Sequence, residues 1–182
     1  MEGLRKLSRL IRKWNDIESE IASLIGCPGL VQNIGEYVAE KVFNLKLEKS
    51  KTTKGFDGRF TLGGLRGRTV NVKIYPEREG FIDWKDDALP DYFLILAGPK
   101  RKGRRTTGKG HPLIITNTYL FDTRKLRRLL VSRNVQIKRA TNRTVQASVR
   151  VSDWEEAEVF PKRRCMLMNL SPKQKKMLAL FG

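Results

Sequence analysis

Tyr92-Phe93-Leu94-Ile95-Leu96 is an unbroken apolar run within the segment Asp91 to Ala97. A strand that is apolar on both faces must be covered on both, so the run predicts a fully buried central strand in a layered α/β sheet. The flanking sequence supplies the covering layers. Leu4, Leu7, Leu10, Ile11, Trp14, Ile17, Ile21 and Leu24 recur three or four residues apart, which predicts an amphipathic helix over 3–25, stopped by Gly26 and Pro28. A second helix is expected over 31–44, with Ile34, Val38, Val42 and Leu45 on one face and Glu36 and Glu40 on the other.

Beyond the polar stretch 48–55 the period shortens to two. A strand over 56–62, a glycine turn over 63–67 and a strand over 69–75, with Val70, Val72 and Ile74 on one face, predict a β-hairpin. Further strands are expected at 112–116, 135–138 and 144–149. Asp122 or Thr123 is placed to cap a helix that turns Leu126, Leu129 and Leu130 inward and Arg124, Lys125, Arg127 and Arg128 outward. A helical turn over 154–158 and a last helix over 172–181, capped by Ser171, complete the order, and Trp84 and Trp154 read as packing residues. With no internal repeat or low-complexity linker, the reading is one α/β domain over 27–182 with residues 1–26 as an N-terminal helical arm.

Among the 182 residues, 37 Lys and Arg face 19 Asp and Glu, a net charge of +18, while 40% of residues are hydrophobic, enough for a core. Such an excess makes a polyanion the expected partner, because each neutralised phosphate releases counterions whatever the base sequence. The charges are clustered: Lys100, Arg101, Lys102, Arg104, Arg105 and Lys109 share one Gly-containing stretch, and from Arg124 to Arg143 no acid interrupts the bases. No apolar run approaches the roughly 18 to 20 residues of a membrane span. Cys27 and Cys165 form no CxxC or Cys/His cluster, so neither a disulfide scaffold nor a zinc site is indicated and both read as buried small hydrophobes, in a cytoplasmic protein. His111, the single histidine, reads as a loop residue or phosphate contact; Ser-His-Asp and Cys-His schemes lack a supporting cluster, and no phosphate-cradling G-x-x-x-x-G-K-[ST] is present.

One constellation carries chemistry. By strand alternation Asn71 and Lys73 project to the same side, and Asp57, at the start of the preceding strand, joins them if the register allows. A carboxylate, an amide oxygen and a lysine suit metal-assisted phosphodiester cleavage: hard oxygens hold Mg²⁺ (or Mn²⁺), and the lysine stabilises developing negative charge. Asp57-Gly58 also reads as a plain turn, and Glu36 as an ordinary exposed helix residue.

The run GEYVAEKVFNLKLEKSKTTKGFDGRFTLGGLRGRTVNVKIY, residues 35–75, resembles the core of the PD-(D/E)XK nuclease superfamily. The resemblance, which extends more loosely over about residues 30–182, implies a restriction-endonuclease-like core: a central mixed β-sheet flanked by helices. It makes Glu36 the helix acid, Asp57 the principal metal ligand, Asn71 the second ligand position, Lys73 the catalytic lysine and the Val72 backbone carbonyl a further ligand. It implies a metal-dependent DNA endonuclease, with duplex DNA held by the basic stretch and by Arg124, Arg127 and Arg128. The acid usual before X-Lys is Asn71 here, whose neutral oxygen binds Mg²⁺ more weakly than a carboxylate. Asp83, Asp86, Asp87 and above all Asp91 stand as replacements, and a non-cleaving DNA-binding protein on the same fold is the alternative. Double-strand cutting by one site per chain would require a homodimer or two binding events.

Overall fold

The apolar run becomes the strand on which everything else is laid. The structure, a computed structural model, describes residues 2–48, 55–76, 80–85, 89–99, 113–135, 138–139 and 144–182. In chain order the elements are α1 (Glu2–Ile25), α2 (Val31–Phe43), β1 (Leu45–Leu47), β2 (Gly58–Phe60), β3 (Thr69–Tyr75), β4 (Phe81–Lys85), β5 (Tyr92–Ala97), β6 (Asn117–Asp122), α3 (Thr123–Ser132), β7 (Lys138–Arg139), β8 (Thr144–Ser148), α4 (Val151–Glu156), β9 (Glu158–Phe160) and α5 (Pro172–Leu178). Six strands form a mixed sheet in the order β1-β2-β3-β5-β6-β9, in which only the β3–β5 pair is parallel, and β4-β8-β7 form a second, antiparallel sheet.

Alternation along β3 and β5 divides the core. Val70, Val72, Ile74, Leu94 and Leu96 meet Val38, Ala39 and Val42 of α2 and Leu178 of α5 on one side of the sheet. Phe93, Ile95 and Ala97 meet Leu126 and Leu130 of α3, Trp154 of α4, and Ile82 and Ala147 of the small sheet on the other. Phe93 to Ala97 are at most 1% exposed, so the sheet is covered on both faces, as its composition requires.

Asn44 ends α2 in the left-handed conformation (φ 54°), which Asn tolerates better than most side chains. Gly58 answers to a different constraint: a Cβ there would stand 2.6 Å from the Lys46 carbonyl oxygen, so only glycine lets β1 and β2 close. The expected hairpin is present as β2 and β3, paired Gly58 with Val70 and Arg59 with Thr69.

Four expectations are corrected. The strand expected at 112–116 lies further along, at Asn117–Asp122, because β6 pairs antiparallel with all of β5, while Ile115 N–H donates to the Phe181 carbonyl and Thr116 N–H to that of Ala97. The sequence around Trp154 holds α4 and then β9, a strand too short to show a period. Strands β1 and β4 are additions to the expected order, and β1, at three residues, is likewise too short to show a period. Cys165 is buried, but Cys27 is only partly so. The whole basic stretch from Lys100 to Lys109, with His111, Asp86, Asp87 and Arg143, lies outside the described residues.

Candidate functional site

Asp57 immediately precedes β2, where the ladder to β3 stops. Its side chain continues the ladder in place of a strand: Asp57 Oδ2 accepts the Val72 N–H at 2.7 Å. Beside it on the same edge of β3, Gln32 of α2 donates its Nε2 amide to the Val72 carbonyl at 2.8 Å and to Glu36 Oε1 at 3.0 Å. Gln32 and Glu36 stand four residues apart, so one helical face presents both. Asp57, Gln32 and Glu36 line one cleft of about 430 Å³ together with Glu40, Glu48 and Cys27. Glu40 pairs with Lys41 at 3.1 Å and Glu48 with Arg59 at 3.9 Å. The Gln32 NH₂, with its partial positive charge, bridges the Val72 carbonyl and the Glu36 carboxylate.

Among the described residues no group of three His, Cys, Asp or Glu side chains is placed to hold a metal. What the cleft does offer is two carboxylates, Asp57 and Glu36, near the Val72 carbonyl. That donor set fits Mg²⁺, which takes one or two carboxylates and keeps several waters. Asn71 does not line this cleft, nor does Lys73.

Asn71 and Lys73 share a face, as alternation predicts, with Tyr75 beside them. The face belongs to a different neighbourhood from the one expected. Lys73 Nζ, on a side chain only 15% exposed, reaches Asp83 Oδ2 of β4 at 3.4 Å and sits 5.9 Å from the centre of the Phe93 ring. Tyr75 donates its hydroxyl to Asp83 Oδ1 at 2.6 Å. The carboxylate beside Lys73 is therefore Asp83 and not Asp91. Asp91 brackets β3 to β5 instead, accepting the backbone N–H and the hydroxyl of Thr69, both at 2.9 Å, with Arg68 at 3.5 Å. The sequence reading misses the parts played by Gln32, Tyr75 and Asp83. Gln32 is signalled by its place four residues before Glu36 and Tyr75 by its place two residues after Lys73, whereas the role of Asp83 depends on β4.

Burial works to raise the Asp83 carboxyl, but the Lys73 ammonium and the hydrogen bonds from Tyr75 and Lys73 outweigh it and hold the group below the ordinary 3.8. Burial acts in the same direction on Asp91 and is likewise outweighed, by the Thr69 hydrogen bonds and by Arg68 and Arg124. A carboxyl depressed in the folded state contributes stability that is present above its unfolded value and lost as pH falls through the folded one. Stability should thus decline below about pH 4, and Asp91→Asn should make that decline shallower in urea melts run across the acid range. An unchanged slope would contradict the Thr69 bracket.

The third assembly is basic. Asp122 caps α3 by accepting the Lys125 N–H at 2.8 Å, and Leu126 and Leu130 anchor the helix in the core. That orientation leaves Arg124, Lys125, Arg127 and Arg128 exposed, as expected. Lys125 is tied to Glu156. Arg124, Arg127 and Arg128 line a cleft of about 790 Å³ with Thr123, Pro90 and Asp91. Arg133, part of the same run of bases, is committed elsewhere, to the buried Asp153 at 2.5 and 3.1 Å. Comparison of the chain with protein-family models and with curated proteins finds no match.

Proposed function

We propose that this chain binds nucleic acid, duplex DNA in particular, through its phosphates. The observation that carries the reading is the cleft beside α3, where three arginines of one helix converge within reach of a phosphate backbone. Guanidinium groups present a planar fork that matches phosphate oxygens. The net charge of +18 supports a sequence-independent, counterion-driven affinity, and the basic stretch 100–109 adds to it. The test is fluorescence anisotropy with duplex DNA across a salt series. Affinity should fall steeply and linearly in log–log form, and retention of affinity at high salt would overturn the proposal.

A second reading has its own observation, the meeting of Asp57, Glu36 and the Val72 carbonyl at the acidic cleft. Under it the protein is a metal-dependent DNA endonuclease on a restriction-endonuclease-like core, acting in the cytoplasm. The antiparallel β1-β2-β3 run following α2, with β5 parallel to β3, supports that reading of the core. A bound Mg²⁺ or Mn²⁺ would polarise the scissile phosphate and an attacking water. Asp57 and Glu36 would hold the ion, and Gln32 would yield the Val72 carbonyl to it. Incubation with plasmid DNA and either metal, beside Asp57→Ala, decides between the readings. Hydrolysis should vanish in the variant while DNA binding stays intact or strengthens, since a charge that repels phosphate is gone. No cleavage by the wild-type chain leaves binding alone.

A further inference from the structure

Helix α1 extends about 36 Å at 1.5 Å per residue, and none of its residues is buried. Leu7, Leu10, Trp14, Ile17, Ile21 and Leu24 alternate spacings of three and four without a break, the a and d pattern of a two-helix seam. Leu7, Leu10, Trp14, Ile17 and Leu24 are 52%, 54%, 70%, 58% and 71% exposed. Among the described residues, the stripe is touched near its end, where Gly29 lies against Glu18 and Ile21. A strict heptad seam with no covering helix among the described residues calls for another helix.

The charges of α1 say which helix. Residues 2–13 carry Arg5, Lys6, Arg9, Arg12 and Lys13 against Glu2, a net +4; residues 14–25 carry Asp16, Glu18 and Glu20 and no base, a net −3. An anionic membrane or a DNA backbone would attract the first half and repel the second. A parallel copy would lay +4 beside +4. An antiparallel copy lays each basic half along an acidic half.

We infer that α1 forms an antiparallel two-helix seam with α1 of a second copy of this chain. The register that matches every apolar layer sets Leu7 against Leu24 of the partner subunit, Leu10 against Ile21 of the partner subunit and Trp14 against Ile17 of the partner subunit. In that register Lys13 flanks the seam opposite Glu20 of the partner subunit, twice by symmetry. The inference does not depend on the nucleic-acid proposal, and its test contains no nucleic acid.

Sedimentation equilibrium of the full chain should show association from the 20.9 kDa protomer to twice that mass. Leu10→Glu combined with Ile17→Glu should give a monomer whose circular dichroism still shows the folded α/β domain. Lys13→Glu alone and Glu20→Lys alone should each weaken association roughly tenfold, because both symmetry-related pairs become repulsive. An equimolar mixture of those two variants should recover wild-type association, since every introduced acid then faces an introduced base across the seam, and the native groups at the other two positions face each other as before. That rescue is specific to the antiparallel register and shows that both variants are folded. A wild-type chain that stays monomeric at every concentration, a dimer that survives the Leu10/Ile17 double change, or a mixture without rescue would each overturn the seam. Binding of a monomeric wild-type chain to anionic phospholipid vesicles would overturn it in favour of a membrane surface.

Discussion

Replacing Arg124, Arg127 and Arg128 together with Gln should reduce affinity for duplex DNA about 100-fold at roughly 0.15 M salt, and should flatten the log affinity against log salt slope by about 2.7. The figure follows from about 0.9 per phosphate neutralised, for three phosphates. Glutamine removes the charge, retains helix propensity and leaves Leu126 and Leu130 in place, so the fold should be untouched. Two neighbours serve as controls. Lys125→Gln should cost less, because Lys125 is already paired with Glu156. Arg133→Gln should leave the slope unchanged while destabilising the chain, because it strips the partner from the buried Asp153 carboxylate. If the triple variant keeps the wild-type slope, the α3 cleft is not where phosphate binds. Equal losses on unrelated DNA sequences would identify backbone contact, and a loss confined to one sequence would point to base readout.

Trp154→Ala should lower unfolding free energy by about 3–5 kcal/mol, a large share of the roughly 5–15 kcal/mol that holds most domains folded. Trp154 is 1% exposed, and Tyr119 and Phe121 of β6 meet it edge to face at centroid distances of 4.8 and 5.1 Å. Its truncation opens a cavity between α4 and the sheet face that also carries Phe93, the ring beneath Lys73. The indole Nε1 has no hydrogen-bond partner among the described residues. Trp154→Phe should therefore cost much less than alanine, because it keeps most of the aromatic contact and removes a buried donor that has no partner among the described residues. Chemical denaturation of the two variants checks this directly. Similar losses in both would mean that the indole N–H, and not the ring's packing, carries the stability.

The paired predictions rest on parts of the chain that differ in how far the sequence reveals them. The α3 surface is legible because it is local: a capping Asp122, leucines at 126 and 130 and intervening arginines define which way the helix must face. The bounds of β3 and the burial of β5 are legible for the same reason, since a period of two and an unbroken apolar run each follow from neighbours in sequence. Trp154 reads as core from sequence, but the partners that make it costly to remove come from β6, which lies several residues beyond its expected place. Register in a sheet is set by the pairing strand, and the two apolar runs Leu113–Ile115 and Tyr119–Phe121, split by Thr116-Asn117-Thr118, offer more than one way to pair.

The candidate site divides in the same way. Sequence alone determined that Asn71 and Lys73 share a face, that Asp57 stands at the entrance to the hairpin, and that the chain carries a net charge of +18. Tertiary structure alone decided which of these groups meet. It turned Asp57 onto the Val72 amide and linked Glu36 to the Val72 carbonyl through Gln32. It sent Lys73 to Asp83, because the chain between β3 and β5 folds back as β4 over the other face of the sheet. Alternation carries a side chain to a face, but only the packing of distant segments chooses its partner, since that choice depends on crossovers and register that no local pattern encodes.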